Sequence, residues 1–300
     1  MNNHLKTVLL LGVLTGLVLA LGNLVAPAQL HFFVLLAAAM NLGAYFFSDR
    51  LVLRMSGAQE IPYQEMPELH DMVAELASKA GLPKPKVFLI PGEQPNAFAT
   101  GRNPARGVVA VTTGLLRLLD RRELRGVIAH ELAHIRNRDI LVSSVAATAA
   151  AVVTYVANML SWGAMFGGSS RDDDRGSPAA ALVAIFVAPL AATLIQMGIS
   201  RSREFLADEG GATMSGDPEA LANALRKLEH YATALPSDAA PATASLYIVN
   251  PFGGGRSVMR WFSTHPDTAE RIERLMAMAS AGGAAPGIAP GIPPVGFPRR

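Results

Sequence analysis

Between Thr7 and Ser48 the chain carries no Asp, Glu, Lys or Arg. About 20 apolar residues are enough to cross a hydrocarbon core of about 30 Å, so this stretch predicts two membrane-crossing helices. Pro27, in the short joint Gly22–Leu30, divides it into Thr7–Ala26 and Leu30–Phe47, a tight helical hairpin. Two later segments, Ile140–Met165 and Pro178–Ile199, are also apolar, the first softened by Ser143, Ser144, Thr148, Thr154 and Asn158. It reads as a span packed against protein, with a soluble helix leaning on the membrane as the alternative. Lys6, the apolar run and Ala26-Pro27-Ala28 imitate a cleavable leader. The proline inside that triplet, and the second apolar stretch behind it, favour an uncleaved anchor. Hydrophobic residues make up 50% of the chain and charged residues 17%, against about 25% charged in an average soluble domain. The cysteine count of 0 excludes a disulfide scaffold, thiolate metal sites and cysteine nucleophiles. A net charge of +2 is too small to argue for a nucleic-acid partner.

The distribution of charge sets the expected orientation. Of the 26 lysines and arginines, only Arg171 and Arg175 fall in the two loops that four spans would place outside. Arg50, Arg54, Arg136, Arg138, Arg201 and Arg203 flank the apolar segments on the other side. Positive charge is retained on the cytoplasmic side, so both termini and the polar bulk of the chain are expected there.

In the polar parts, Leu69, Met72, Val73 and Leu76 recur at helical spacing over Pro67–Ala80. Pro85–Ile90 and Val108–Thr112 are short and rich in β-branched residues and predict strands, with Asn96–Gly107 as a turn-rich connection. Asp120 with Glu123 three residues later forms a capping box that opens an amphipathic helix. Asp217-Pro218-Glu219 opens another helix through about Ala234, and Thr264–Ala279 predicts the last. From Ala281 the composition is that of a Gly/Pro-rich disordered tail.

The helix opened by Asp120 contains His130-Glu131-Leu132-Ala133-His134. Histidines at i and i+4 project from one helical face, one turn apart, and can reach one ion. Glu131 lies beside the first ligand, where a carboxylate can act as general base toward water and return the proton to a leaving amine. A catalytic zinc site takes three protein ligands and keeps one position open. His134 lies just before one apolar segment and Glu204 just after the next, both roughly 6–8 Å beyond the same membrane face at 1.5 Å per residue. A span out and a span back would bring them together, which selects Glu204 as the third ligand. Asp208, one turn after Glu204, is placed to orient a ligating histidine.

His130-Glu-x-x-His134, Arg203-Glu204-Phe-Leu-Ala207-Asp208 and Thr264-His265-Pro266 with Arg271-Ile-x-x-Leu275 together resemble the HtpX family of membrane metallopeptidases. That family is similar to the eukaryotic CAAX prenyl proteases. Asn96-Ala-Phe-Ala-Thr100-Gly and Val109-Ala-Val-Thr-x-Gly114-Leu-Leu also look like that family's strand region, and the likeness covers about Leu5–Ala277. The resemblance implies a zinc endopeptidase of the bacterial inner membrane that acts in quality control of misfolded membrane proteins. It implies one Zn2+ per chain on His130, His134 and Glu204, with Glu131 as base. Polypeptide substrates, the lipid bilayer and other membrane quality-control proteases are the partners it suggests. His265, ahead of a helix start, could donate to the oxyanion of a tetrahedral intermediate. Arg271 could neutralise the same region or hold Glu131 or Asp208. Asn96 and Phe98 are candidates for substrate binding at a free strand edge, with an ordinary turn and hydrophobic plug as the alternative.

The expected fold class is mainly α (α+β), a multi-span helical membrane protein whose zincin-like cytoplasmic catalytic domain contains a small β-sheet. Its expected units are a hairpin (1–48), the first catalytic part (49–139), a second hairpin (140–200), the second catalytic part (201–280) and the tail (281–300). Two competing readings are an intramembrane protease and a non-catalytic membrane chaperone or scaffold. Arg121, Arg122, Arg125, Arg136 and Arg138 around the metal motif speak against the first, because burying them in lipid is costly. The intact Glu131 speaks against the second.

Overall fold

The computed structural model describes residues 3–25, 27–166, 201–234, 246–249 and 266–283. The apolar segment Pro178–Ile199, the charged loop at 171–175, His265 and the chain after Gly283 lie outside the described residues.

Helices α1 (Asn3–Val25) and α2 (Leu30–Met55) are joined by a 3-10 turn at Pro27–Gln29. This is the hairpin that the charge-free stretch and its proline predict, with α2 continuing beyond Ser48. Asn41 Nδ2 donates to Thr15 Oγ1 across it at 2.6 Å. Helix α6 (Ile140–Phe166) packs on both, burying Leu10 against Val142, Val145, Ala146, Ala149 and Val153. Phe32, Leu35 and Leu42 face outward on the other side, as lipid contact would require. Among the described residues α2 is by itself long and apolar enough to cross a membrane. The apolar part of α1, Leu5–Ala20, is shorter, and α6 meets the criterion only jointly with the preceding helix, from which it is bent by 91°.

The sheet has the order β1-β2-β4-β3, from β1 (Gln59–Glu60), β2 (Lys86–Ile90), β3 (Ala97–Thr100) and β4 (Val108–Thr112). β2 and β4 run parallel, and the outer pairings are antiparallel. Val87, Val109, Val111, Ala97 and Ala99 face the main core, with Leu69, Val73 and Leu76 of α3 (Pro67–Lys79) and Val127, Ile128 and Leu132 of α5 (Arg121–Arg136). The alternate residues Phe98, Val108 and Ala110 face Val52 and Leu53 of α2 and Ala147 of α6. The sheet therefore lies between the polar half and the apolar bundle, and both of its faces are covered. β3 falls inside the segment expected to be a turn-rich connection. Its Ala-Phe-Ala-Thr has weak intrinsic strand preference and becomes a strand by pairing with β4 in a site buried on both sides.

The remaining helices are α4 (Thr113–Leu118), α7 (Arg201–Ser215), α8 (Pro218–Ala234) and α9 (Thr268–Gly283). α7 and α8 pack against α5, and α9 closes over both. Gly126 of α5 lets α8 approach closely, since a Cβ there would stand 3.1 Å from the Leu221 backbone.

Candidate active site

The capping box forms as the sequence predicts: Glu123 N–H donates to Asp120 Oδ1, and Asp120 N–H donates to Glu123 Oε2, each at 2.9 Å. It fixes the start of α5, a helix on which the i, i+4 spacing puts His130 and His134 on one face. Their rings are nearly perpendicular, 4.7 Å apart, with the Nε2 atoms 3.2 Å from each other. Helix α7 brings in Glu204, whose Oε2 is 3.7 Å from His130 Nε2 and whose Oε1 is 3.6 Å from His134 Nε2. That approach depends on Gly211, where a Cβ would stand 2.8 Å from the His130 backbone nitrogen. One donor atom from each of the three residues lies within 4.8 Å of the others. Ligands held 2.0–2.2 Å from one tetrahedral ion stand roughly 3.3–3.6 Å apart, so two nitrogens and a carboxylate in this arrangement fit a divalent cation.

Each histidine has a carboxylate behind it. His130 Nδ1 is 2.9 Å from Asp208 Oδ1, off the line of a straight hydrogen bond. His134 Nδ1 is 3.2 Å from Asp139 Oδ2. Such partners fix the ring orientation and raise ligand basicity. Asp208 is itself gripped by Arg271, through Nε to Oδ2 at 2.8 Å and Nη2 to Oδ1 at 2.7 Å. Arg271 is 1% exposed, donates to the Ile248 carbonyl at 2.7 Å, and has Nη1 3.7 Å from Glu204 Oε2. The structure thus places Arg271 behind Asp208, one of the three arrangements left open by the sequence.

Asp139 is a site residue that sequence reasoning missed. Arg138 adopts a left-handed conformation, with φ 59°. Its N–H bonds to Ile135 O while the Asp139 N–H bonds back to His134 O. This is a Schellman turn. It ends α5, turns the chain into α6 and folds the Asp139 side chain under the histidine five residues earlier. The available signal was a carboxylate just where the helix has to stop before the next apolar segment.

Glu131 is buried beside His130 and accepts a hydrogen bond from the Ala99 N–H of β3. Burial pushes its carboxyl up to about 7, against the pull of His134; a nearby cation would draw it down. Burial likewise holds the His130 imidazole below its ordinary range. For His134 burial works downward, but Asp139, Glu204 and Glu131 overcome it and raise the imidazole to about 9. A metal ion would therefore replace a proton among these carboxylates, and one positive charge at this point is already favoured.

Asn96 and Phe98 do not present their side chains to open space. Asn96 Oδ1 accepts from Ile248 N at 3.2 Å, and Phe98 is buried against α2 and α6. What lies next to Glu131 is the backbone of β3, the terminal strand of the sheet.

Comparison with known proteins agrees with this geometry. Residues 63–279 match the profile of Peptidase family M48. The chain is 54% identical over 288 residues to a protease HtpX homolog of Sulfurihydrogenibium sp. (strain YO3AOP1), spanning 93% of this chain and 97% of that one. The chain belongs to peptidase family M48. A protease HtpX homolog of Aquifex aeolicus (strain VF5) is 48% identical over 274 residues, spanning 89% of this chain and 90% of its own. The crystal structure of S. mikatae Ste24p aligns with a TM-score of 0.47 at 16% identity, over 88% of this chain and 62% of that one. This M48 chain is a membrane-associated metalloprotease, mostly helical with a small mixed sheet. Its His130, His134 and Glu204 can hold the metal.

Proposed function

We propose that this M48 protein is a zinc endopeptidase of a bacterial inner membrane. It would cleave misfolded or damaged membrane proteins on the cytoplasmic side, with one zinc ion per chain on His130, His134 and Glu204. The convergence of those three donors, with Glu131 buried beside them, is the observation that carries the reading. A bound zinc ion supplies Lewis-acid polarisation of the scissile carbonyl and acidifies water. Glu131 takes the proton of the attacking water and delivers it to the departing amine, while the Ala99 N–H holds its carboxylate in place. Asp208 and Asp139 hold the two imidazoles, and Arg271 holds Asp208. His265 is assigned the oxyanion that develops on the carbonyl. The substrate would lie extended along β3, and Asn96 and Phe98 would serve it by fixing that strand.

The orientation is supported by a contact at the membrane level. Asn3, at the start of α1, donates to Asp139 Oδ1 at 2.9 Å and accepts from Arg203 at 3.3 Å. The N-terminus and the metal-ligand helices therefore share one side of the bundle, and the arginine distribution supports reading that side as cytoplasmic. On this reading the hairpins at 1–48 and 140–200 anchor two catalytic parts, 49–139 and 201–280, which carry the ligands jointly.

The test is casein cleavage by the detergent-purified full chain, with and without chelator, beside Glu131→Gln. Glutamine fills the same volume but cannot accept the proton, so the variant should keep about one zinc per chain and lose several orders of magnitude in rate. Comparable turnover in the variant and the parent would remove Glu131 from the mechanism.

A further inference from the structure

A cavity of about 580 Å³ opens where α2 leaves its apolar stretch, between that helix, β2 and the turn joining β3 to β4. None of the metal-ligand set lines it. Arg50, Lys84, Lys86, Arg102 and Arg106 line it against two carboxylates, Asp49 and Glu60. Glu60 is taken up by Lys86 at 2.9 Å, and Asp49 accepts from the Arg50 backbone N–H at 2.8 Å. Among the described residues no carboxylate forms an ion pair with Arg50, Arg102 or Arg106. Two of these guanidinium groups sit over aromatic rings instead, Arg102 5.1 Å from the centre of Phe46 and Arg50 5.6 Å from that of Phe47. A guanidinium over a phenyl ring keeps its charge and its in-plane N–H donors. Several such forks around one cavity make a site for a phosphate group, which accepts from arginine in bidentate fashion.

The height of the cavity narrows the source of that phosphate. From Leu30 to Phe47 helix α2 rises about 27 Å at 1.5 Å per residue, close to the thickness of a hydrocarbon core. Phe46 and Phe47 therefore stand at the boundary between acyl chains and headgroups, 44% and 54% exposed, with Leu42 at 59% one turn below. A free phosphate would use the arginines and leave this apolar strip unused. A phospholipid uses both.

We propose that this cavity binds the phosphate of an anionic phospholipid headgroup, with the acyl chains lying along Leu42 and Phe46 of α2. This rests on the membrane placement of α2 given above. The bound lipid would join the end of α2 to β2 and to the β3–β4 turn, and so hold the sheet at a set height over the bilayer. Juxtamembrane clusters of arginine and lysine attract anionic lipids in the same way.

The experiment uses the full chain in detergent, titrated separately with dihexanoyl-phosphatidylglycerol, dihexanoyl-phosphatidylcholine and inorganic phosphate. Bound ligand is read by native mass spectrometry. The expected result is saturable binding of the phosphatidylglycerol, weakened about tenfold in Arg102→Gln/Arg106→Gln and restored in part by Arg102→Lys/Arg106→Lys. Casein cleavage in lipid-free detergent should be the same in all three proteins, which shows that the variants are folded. Equal binding of both lipids, equal binding by parent and glutamine variant, or inorganic phosphate binding as tightly as the phosphatidylglycerol would each overturn the proposal. Incorporation into phosphatidylcholine nanodiscs, read by co-elution, checks the membrane placement separately.

Discussion

Gly211→Ala tests how the metal site is assembled. A Cβ at position 211 would stand 2.8 Å from the backbone nitrogen of His130 and 2.9 Å from its Cα. Non-bonded heavy atoms rest at about 3.5–4.0 Å, so α7 would have to retreat from α5 by roughly 0.6–1 Å. Neither contact atom can swing aside, because both are backbone. Such overpacking costs about 1–3 kcal/mol, and replacing a helical glycine returns about 0.5–1 kcal/mol, so the net loss of stability is about 0–2.5 kcal/mol. The effect on the metal should be larger in proportion. Glu204 lies two turns earlier on the same helix and would be carried away from His130 and His134, whereas metal–ligand distances tolerate only about 0.2 Å. We expect zinc affinity to fall by roughly 10–100-fold, the range found when support for a ligand is lost. Chelator competition on the full chain measures this, with thermal unfolding alongside. Gly126→Ala is the comparison: its Cβ would meet the Leu221 backbone at 3.1 Å, against a helix that carries no ligand. It should lose stability and keep its zinc. Unchanged zinc affinity in Gly211→Ala would mean that the close approach at Gly211 does not position Glu204.

Three further outcomes follow from the same geometry. Asp139→Asn should weaken zinc roughly 10–100-fold and cost little stability, because its ion contact with Arg203 is a long 3.7 Å one, whereas Asp208→Asn should also cost about 3–5 kcal/mol by breaking the two short contacts to the buried Arg271 and leaving it only the 3.7 Å contact to Glu204; indistinguishable unfolding curves for the two variants would refute the distinction. Arg138→Gly should stabilise the protein by about 0.5–1 kcal/mol, since it removes a left-handed conformation that costs an ordinary residue about 1–2 kcal/mol; a lower unfolding temperature would count against the Schellman turn. In this cysteine-free chain, Asn137→Cys should react with an impermeant thiol reagent only in inverted vesicles and Ser169→Cys only in right-side-out cells. Labelling of both from one side would contradict the proposed topology.

The sequence alone determined what depends on neighbours along the chain. The missing charges between Thr7 and Ser48 required two apolar helices, and Pro27 placed the break between them. Asp120 and Glu123 set the start of α5, and 3.6 residues per turn put His130 and His134 on one face whatever that helix later packed against. The tertiary structure decided what depends on partners far apart in the chain or on a single backbone torsion. β3 was suggested by the resemblance but could not be read from the local preferences of Ala97–Thr100, because its stability comes from β4 and from cover on both faces. Glu204 could be chosen from its position between apolar segments, but its distance to the histidines is set by the contact of Gly211 with the His130 backbone. Asp139 reaches His134 only because Arg138 takes a left-handed turn, and nothing in an arginine announces a positive φ. Arg271 could be named from the resemblance with several possible partners, but only the fold makes it the largest fully buried side chain among the described residues, held by Asp208 and by the Ile248 carbonyl. Local periodicity carries no information about such pairings, because their energy appears only when the segments meet.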